Sequence, residues 1–269
     1  MKKWDKIWEE TDRDIRTNRP MVHHITNYVV MNVTANVTLS MGASPVMAHD
    51  AREVEELVNF ASALVLNIGT LSPHWVEAMV KVGKKAREKG IPIILDPVGA
   101  GATRLRTDVS MRILNEVGPS IIRGNQAEVA TLAGGTARIQ GVDSLETGAA
   151  PIDLFRELAI KTGSVVCVTG EVDWVTDGKR TFKVHNGHPM MSNVTGTGCS
   201  SSTAVAVYST SGLPPVESCS LGLSVFGACG EVAAENSSGP GGFQVALLDA
   251  LYNAPSQGLG SRLRIEGPA

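Results

Sequence analysis

The stretch Ile91-Pro92-Ile93-Ile94-Leu95-Asp96-Pro97-Val98-Gly99-Ala100-Gly101 decides the fold. A short aliphatic run reads as a buried strand, and this one ends in a carboxylate followed at once by a glycine-rich loop. Open α/β sheets place ligand groups in that position, beyond the carboxyl ends of their strands. The residues before it fit. Ser72-Pro73 opens a helix, with proline where its missing N–H costs nothing, and the helix stops at Gly90. Upstream of that helix, Ala63 to Thr70 reads as another buried strand ending in glycine and threonine.

The alternation continues in both directions. Downstream come a helix from Thr107 to Val117, a strand from Ser120 to Arg123, and a helix from Gln126 to Ala133. Residues 134 to 149 read as a loop or small excursion, followed by a helix from Pro151 to Lys161 and a strand from Ser164 to Gly170. Asp173 to Thr176 and Arg180 to Val184 then form a β-hairpin about a two-residue Asp177-Gly178 turn. Upstream, Trp4, Ile7, Trp8 and Ile15 share one face of an N-terminal helix, and Met21 to Ile25 is a short strand. Gly42 to Met47 turns into another strand, and Asp50 with Glu53 marks a helix start. Helices from Ser200 to Thr210, Pro215 to Asn236 and Phe243 to Tyr252 precede a last strand, Arg262 to Ile265. Such alternation implies parallel strands, right-handed crossovers and helices on both faces of one sheet.

Composition sets bounds on function. The 269 residues suffice for one large α/β domain, and a single domain over 1–269 is expected. A net charge of −3 with no basic stripe argues against nucleic acid as a partner. The densely charged start, Lys2 to Arg19, is unlike a signal or transit sequence, so a cytoplasmic location is expected. No membrane association is expected either, since the longest apolar run, Cys219 to Ala234, is broken by Gly222, Gly227, Gly230 and Glu231. Cys167, Cys199, Cys219 and Cys229 show neither CxxC spacing nor adjacent histidines, which speaks against zinc and against a disulfide framework.

A second stretch, Ser192-Asn193-Val194-Thr195-Gly196-Thr197-Gly198-Cys199-Ser200-Ser201-Ser202-Thr203, reads as an anion cradle. Its glycines let the backbone approach a ligand, and the helix that follows offers unpaired N–H groups and the positive end of its dipole. Asp96, Arg123 with Glu128, Thr169 and residues 196–199 converge on one sheet edge by topology. For phosphoryl transfer, Asp96 and Glu128 are carboxylates of the kind magnesium uses, and Arg123 offers a fork of donors to phosphate oxygens. Each also has a plainer reading: Glu128 completes a capping box with Asn125, Asp96 satisfies loop N–H groups, and Arg123 is a strand-end charge. Asn27, Asn32 and Asn36 are unusual in a helical segment, so some are expected to face a polar cavity. Cys199 at a helix N-terminus is expected to have a lowered thiol pKa. Neither a GxxxxGK[ST] loop nor a GxGxxG after the first strand is present. A cysteine hydrolase pairing Cys199 with one of six histidines stays open, and of His23 and His24 one is expected buried and one exposed.

The segments HHITNYVVMNVTAN, GASPVMAH, NIGT, LDPVGAGAT, RGNQAEVATLAG, VTGEVDWVTDG and NVTGTGC, in this order, resemble the hydroxyethylthiazole kinase family of thiamine salvage. The resemblance covers nearly the whole chain. It implies a ribokinase-like α/β fold with a largely parallel central sheet, helices on both faces, one β-hairpin and no separate lid. It also implies an enzyme that uses ATP and Mg2+ to phosphorylate the primary alcohol of 4-methyl-5-(2-hydroxyethyl)thiazole, in a homotrimer with sites between subunits. By motif position, Met47 and Gly196 would contact the thiazole, and Asn27 and Gly69 would line its pocket. Arg123 and Thr169 would contact ATP, Asp96 and Glu128 would organise magnesium, and Cys199 stands where most of the superfamily has the aspartate that activates the acceptor hydroxyl. One departure is Arg104-Leu105 after GAGAT, where an apolar, aromatic step is expected. Two other classes remain open: a lyase of the same superfamily that uses ATP to dehydrate a hydrated nicotinamide cofactor, and a catalytically idle ligand-binding protein.

Overall fold

The computed structural model describes residues 3–134 and 152–268. Its sheet has nine strands: β1 Met21–Ile25, β2 Ser44–Val46, β3 Ala63–Asn67, β4 Ile93–Asp96, β5 Ile121–Asn125, β6 Val165–Thr169, β7 Asp173–Thr176, β8 Thr181–Val184 and β9 Ile265–Glu266. Their spatial order is β2-β1-β3-β4-β5-β6-β7-β8-β9. β1 to β6 run parallel, and β7, β8 and β9 each pair antiparallel with the strand before them. The helices are α1 Lys3–Asn18, α2 Met31–Ser40, α3 Val54–Leu57, α4 Pro73–Lys89, α5 Arg104–Glu116, α6 Gln126–Leu132, α7 Ile152–Thr162, α8 Thr197–Ser209, α9 Pro215–Glu235 and α10 Pro240–Asn253.

Strand side chains alternate between two cores, as a pleat requires. Ala63 and Val65 of β3, Ile94 of β4, Ile121 of β5, and Val165 and Cys167 of β6 join the core under α1, α2, α8, α9 and α10. Their neighbours Leu64, Leu66, Leu95, Ile122, Val166 and Val168 join the core under α3 to α7. A one-residue slip would move each aliphatic set to the other core, so register is strongly specified. Burial of one such leucine or isoleucine stabilises by about 1.5–3 kcal/mol. The small residues of α8 and α9 permit close helix contact: a side chain at Gly222 would meet the Ala204 carbonyl oxygen at 2.9 Å. The N-terminal helix is fastened to α8 by a bond from Trp8 Nε1 to the Tyr208 hydroxyl, 3.0 Å.

Several expectations change in detail. The helix expected from Glu53 shortens to α3, because the N–H groups of Asn59, Phe60 and Ala61 bond to carbonyls three residues back rather than four. The hairpin loop is four residues, with Thr176 opposite Thr181 and the Asp177 carboxylate accepting from the N–H groups of Lys179 and Arg180. α5 begins three residues early because Thr103 caps it. The last strand is only Ile265–Glu266, since residues 259–262 form a turn of 3-10 helix. Both His23 and His24 are buried, each held by a ring nitrogen: His23 against the Ala48 carbonyl, His24 against the Thr38 hydroxyl. The excursion expected over 134–149 lies, beyond Gly134, outside the described residues. No helix among the described residues is long and apolar enough to cross a membrane.

The order β2-β1-β3 makes the chain leave β1 to one side and return on the other. Crossovers on opposite faces open a crevice at such a switch point, beyond the strand carboxyl ends. Asn27 follows β1 there, Asn67 ends β3 and Asp96 ends β4.

Candidate active site

At this edge the side chains of Asn27, Asn67, Asp96, Cys199 and Ser202 form one hydrogen-bonded cluster. Parallel pairing sets Asn67 opposite Asp96. Asn67 Nδ2 donates to Asp96 Oδ2 at 2.8 Å and to Cys199 Sγ at 3.2 Å. Its Oδ1 accepts from Asn27 Nδ2 at 2.8 Å and from the Gly69 N–H at 3.0 Å. The Ser202 hydroxyl, one turn along α8 from Cys199, adds a second bond to Asp96 Oδ2 at 2.8 Å. Asn27 Nδ2 also faces Cys199 Sγ, at 3.6 Å. Gly69 is required by closeness: a side chain there would strike the Asn27 amide.

Asp96 is therefore lopsided. Its Oδ2 accepts two hydrogen bonds, whereas among the described residues the buried Oδ1 has no hydrogen-bond partner and meets the Arg123 guanidinium at 4.0 Å, an ionic contact. Burial pushes the carboxyl pKa up to about 6, with Glu128 adding to the rise and Arg123, Ser202 and Asn67 opposing it. Arg123 is buried on β5 and donates from Nη2 to Thr169 Oγ1 at 2.7 Å, so β5 and β6 present it together.

Gly196 adopts φ 87° and starts α8, and a side chain there would meet Val30 at 2.8 Å. The first turn of this 13-residue helix directs unpaired N–H groups outward. It borders a cavity of about 790 Å³ whose wall includes Arg123, Thr169, Thr197, Gly198 and Ser201. Phe226 and Leu223 supply apolar wall, and Asp173 a further carboxylate that burial raises to about 6. Anion-binding donors thus line a space large enough for a nucleotide.

Cys199 departs from expectation. Burial and the nearby Asp96 charge push its thiol up to about 11, overcoming the bonds from Asn67 and Asn27 and the Arg123 charge. Helix placement alone does not lower it, because the side chain turns into the buried cluster. The hydrolase pairing is not formed either. His23, His24, His74, His185 and His188 bond elsewhere, and His49 lies against Trp75.

Glu128 forms the capping box: Oε2 accepts from the Asn125 N–H at 2.9 Å, and Asn125 Oδ1 accepts from the Glu128 N–H. Its Oε1 accepts from the Gly99 N–H at 2.8 Å, so it also fixes the loop after Asp96. Met47 is half-buried one residue beyond the His23–Val46 pairing, level with His24 and short of Asn27 along the strands. Of the three asparagines, only Asn27 enters the cluster; Asn36 donates to Asn32 on the surface of α2. Sequence reading missed Asn67 and Ser202. A polar residue closing an otherwise aliphatic strand was the signal for the first; nothing distinguished the second among its serine neighbours.

Among the described residues no group of three or more His, Cys, Asp or Glu could hold a metal alone. The unpartnered Asp96 Oδ1 nevertheless fits a hard cation that takes most of its ligands from phosphate and water, as magnesium does.

A sequence model of the hydroxyethylthiazole kinase family matches residues 13–257. A hydroxyethylthiazole kinase from Desulfosudis oleivorans is 54% identical over 259 residues, spanning 94% of this chain and 93% of its own. One from Chloroflexus aggregans is 47% identical over 261 residues, spanning 97% and 94%. The solved structure of a hydroxyethylthiazole kinase protein from Pyrococcus horikoshii OT3 is similar at a TM-score of 0.87 and 41% identity, over 97% of this chain and 98% of that one. A ribokinase-like superfamily protein from Enterococcus faecalis V583 shares the fold at a TM-score of 0.68 and 13% identity.

Proposed function

The chain belongs to the hydroxyethylthiazole kinase family, and from that premise we propose how its residues phosphorylate the primary alcohol of 4-methyl-5-(2-hydroxyethyl)thiazole with ATP, giving the phosphate used in thiamine salvage. The observation that carries the reading is the cluster of Asp96, Asn67 and Cys199 set against the N-terminus of α8. ATP occupies the cavity, with its phosphates on the first turn of α8 and the Arg123 fork, and Thr169 holding that fork in place. The acceptor alcohol lies against Asn27, Gly69, Gly196 and Met47 of a homotrimer, and its hydroxyl faces Cys199. As the new bond to the γ-phosphorus forms, the bond to the β,γ-bridging oxygen breaks and ADP departs. Positioning and electrostatics carry most of such a transfer. Only a thiolate can take the hydroxyl proton, so Cys199 works through a minor ionised fraction, which the Asn67 and Asn27 amides favour.

Mg2+ is part of the proposal. When bound, it would supply charge neutralisation for the phosphates, and Asp96 and Glu128 would be the carboxylates that hold it.

The protein is proposed to act as a single cytoplasmic domain assembled into trimers, with sites shared between subunits. Tyr28 and Val29, 67% and 64% exposed beside Asn27, support a partner there. Sedimentation at assay concentration tests this, and a fully active monomer would remove it. The decisive assay is phosphate-ester formation from the thiazole alcohol in step with ADP release. ATP hydrolysis without ester, or binding without turnover, would sink the reading.

A further inference from the structure

Arg106 stands in the first turn of α5 and reaches back over the sheet edge. Its Nη2 donates to the Gly69 carbonyl at 2.7 Å and its Nη1 to the Val98 carbonyl at 2.6 Å. These carbonyls belong to two different loops, the one leaving β3 after Asn67 and the one leaving β4 after Asp96. The planar fork of a guanidinium is suited to bridging two acceptors in this way, and a lysine would satisfy one at a time. Each loop is tied onward into the site. The Gly69 N–H donates to Asn67 Oδ1, and the Gly99 N–H donates to Glu128 Oε1. Packing is close as well: at Gly99, φ 76°, an added side chain would lie 3.0 Å from Arg106 Cδ. One unbroken path thus runs from Glu128 through Gly99, Val98, Arg106 and Gly69 to Asn67 and Cys199.

We infer that Arg106 is a positioning residue that couples the acceptor side of the site to its phosphate side. The inference rests on the proposed roles of Gly69 toward the alcohol and of Glu128 toward the metal-bound phosphates. Ordering of either loop by its ligand passes to the other through the shared guanidinium, so each substrate strengthens binding of the other.

The test measures equilibrium binding of the thiazole alcohol with and without saturating magnesium and a non-hydrolysable ATP analogue, and the reverse. Wild-type protein is expected to show the same tightening in both directions, about 5-fold or more. Arg106→Gln should bring the factor close to one while either ligand alone binds within about threefold of wild type, and Arg106→Lys should lie between. Melting temperatures are recorded alongside; if Arg106→Gln does not fold, Arg106→Lys decides. A wild-type factor of one, or an undiminished factor in the variant that folds, overturns the inference. Wild-type turnover is the separate control: its absence overturns the proposed function and this inference with it, whereas turnover with undiminished coupling in the variant overturns the inference alone.

Discussion

Asn67 and Asp96 face each other at the ends of neighbouring parallel strands, and one amide N–H closes the 2.8 Å gap to Oδ2. The other N–H of the same amide holds Cys199. Asn67 is 1% exposed and uses both donors and both acceptor positions of its side chain, so the carboxylate and the thiol are oriented by one group.

Asn67→Asp exchanges that donor for an acceptor against Asp96 and the sulfur. Two buried carboxyls then share a site, and one must stay protonated. The variant should lose roughly 2 kcal/mol of stability at pH 8 and recover part of it near pH 5, with turnover down about 100-fold. Denaturant melts at the two pH values check it, and equal losses at both would refute the account.

For Asp96 the sign of the pH dependence runs against the usual carboxylate. Its folded pKa, about 6, exceeds the ordinary aspartate value of 3.8, so the native state holds the proton more tightly than the unfolded chain. Ionisation therefore costs stability as pH rises through that window, up to about 3 kcal/mol above pH 6. Asp96→Asn mimics the protonated form. It should melt higher than wild type at pH 8, by about 1–3 kcal/mol, while turnover falls at least about 100-fold and the magnesium response flattens.

Glu128→Gln should have the opposite effect on stability. An amide accepts from one of the two N–H groups that Glu128 serves, at Asn125 and Gly99, and turns its own donors on the other. Loss of about 1–2 kcal/mol is expected from the broken cap, together with a raised magnesium requirement. Calorimetry beside a magnesium titration measures both. An unchanged magnesium requirement would leave Glu128 as a cap alone.

With its thiol raised to about 11, Cys199 offers little thiolate at neutral pH, so wild-type turnover should climb between pH 7 and 9. Cys199→Asp places a carboxylate before the same two amide donors and should match or exceed wild type at pH 7 with a flatter profile. Cys199→Ser, a far poorer base, should fall below both. Serine outperforming aspartate across the range would show that the thiol only fills space.

Much of this was legible in the sequence for a physical reason: aliphatic strands closing in Asp96, Arg123 and Thr169 announce both a parallel sheet and the edge where its polar ends gather. What was not legible depends on three-dimensional surroundings. The Cys199 expectation used the helix terminus, a local property, but burial and Asp96, 103 residues away in the chain, set the outcome. For Glu128 the capping box could be read locally, three residues from Asn125, whereas its bond to the Gly99 N–H, 29 residues back, could not. Asn32 and Asn36 resembled Asn27 in composition, and only the position after β1 separates them.

The two margins of the sheet carry a consequence for how copies of the chain behave in a crowded solution. β2, at one margin, has three residues, and the Ser44 N–H turns inward to the Pro20 carbonyl. Alternation then aims the main-chain groups of Pro45 outward, where proline has no hydrogen to donate. β9, at the other margin, is only two residues long. Neither margin gives a foreign strand a row of donors and acceptors to zip onto, so runaway strand addition is blocked at both ends and any association of copies falls to the side chains of helices and loops.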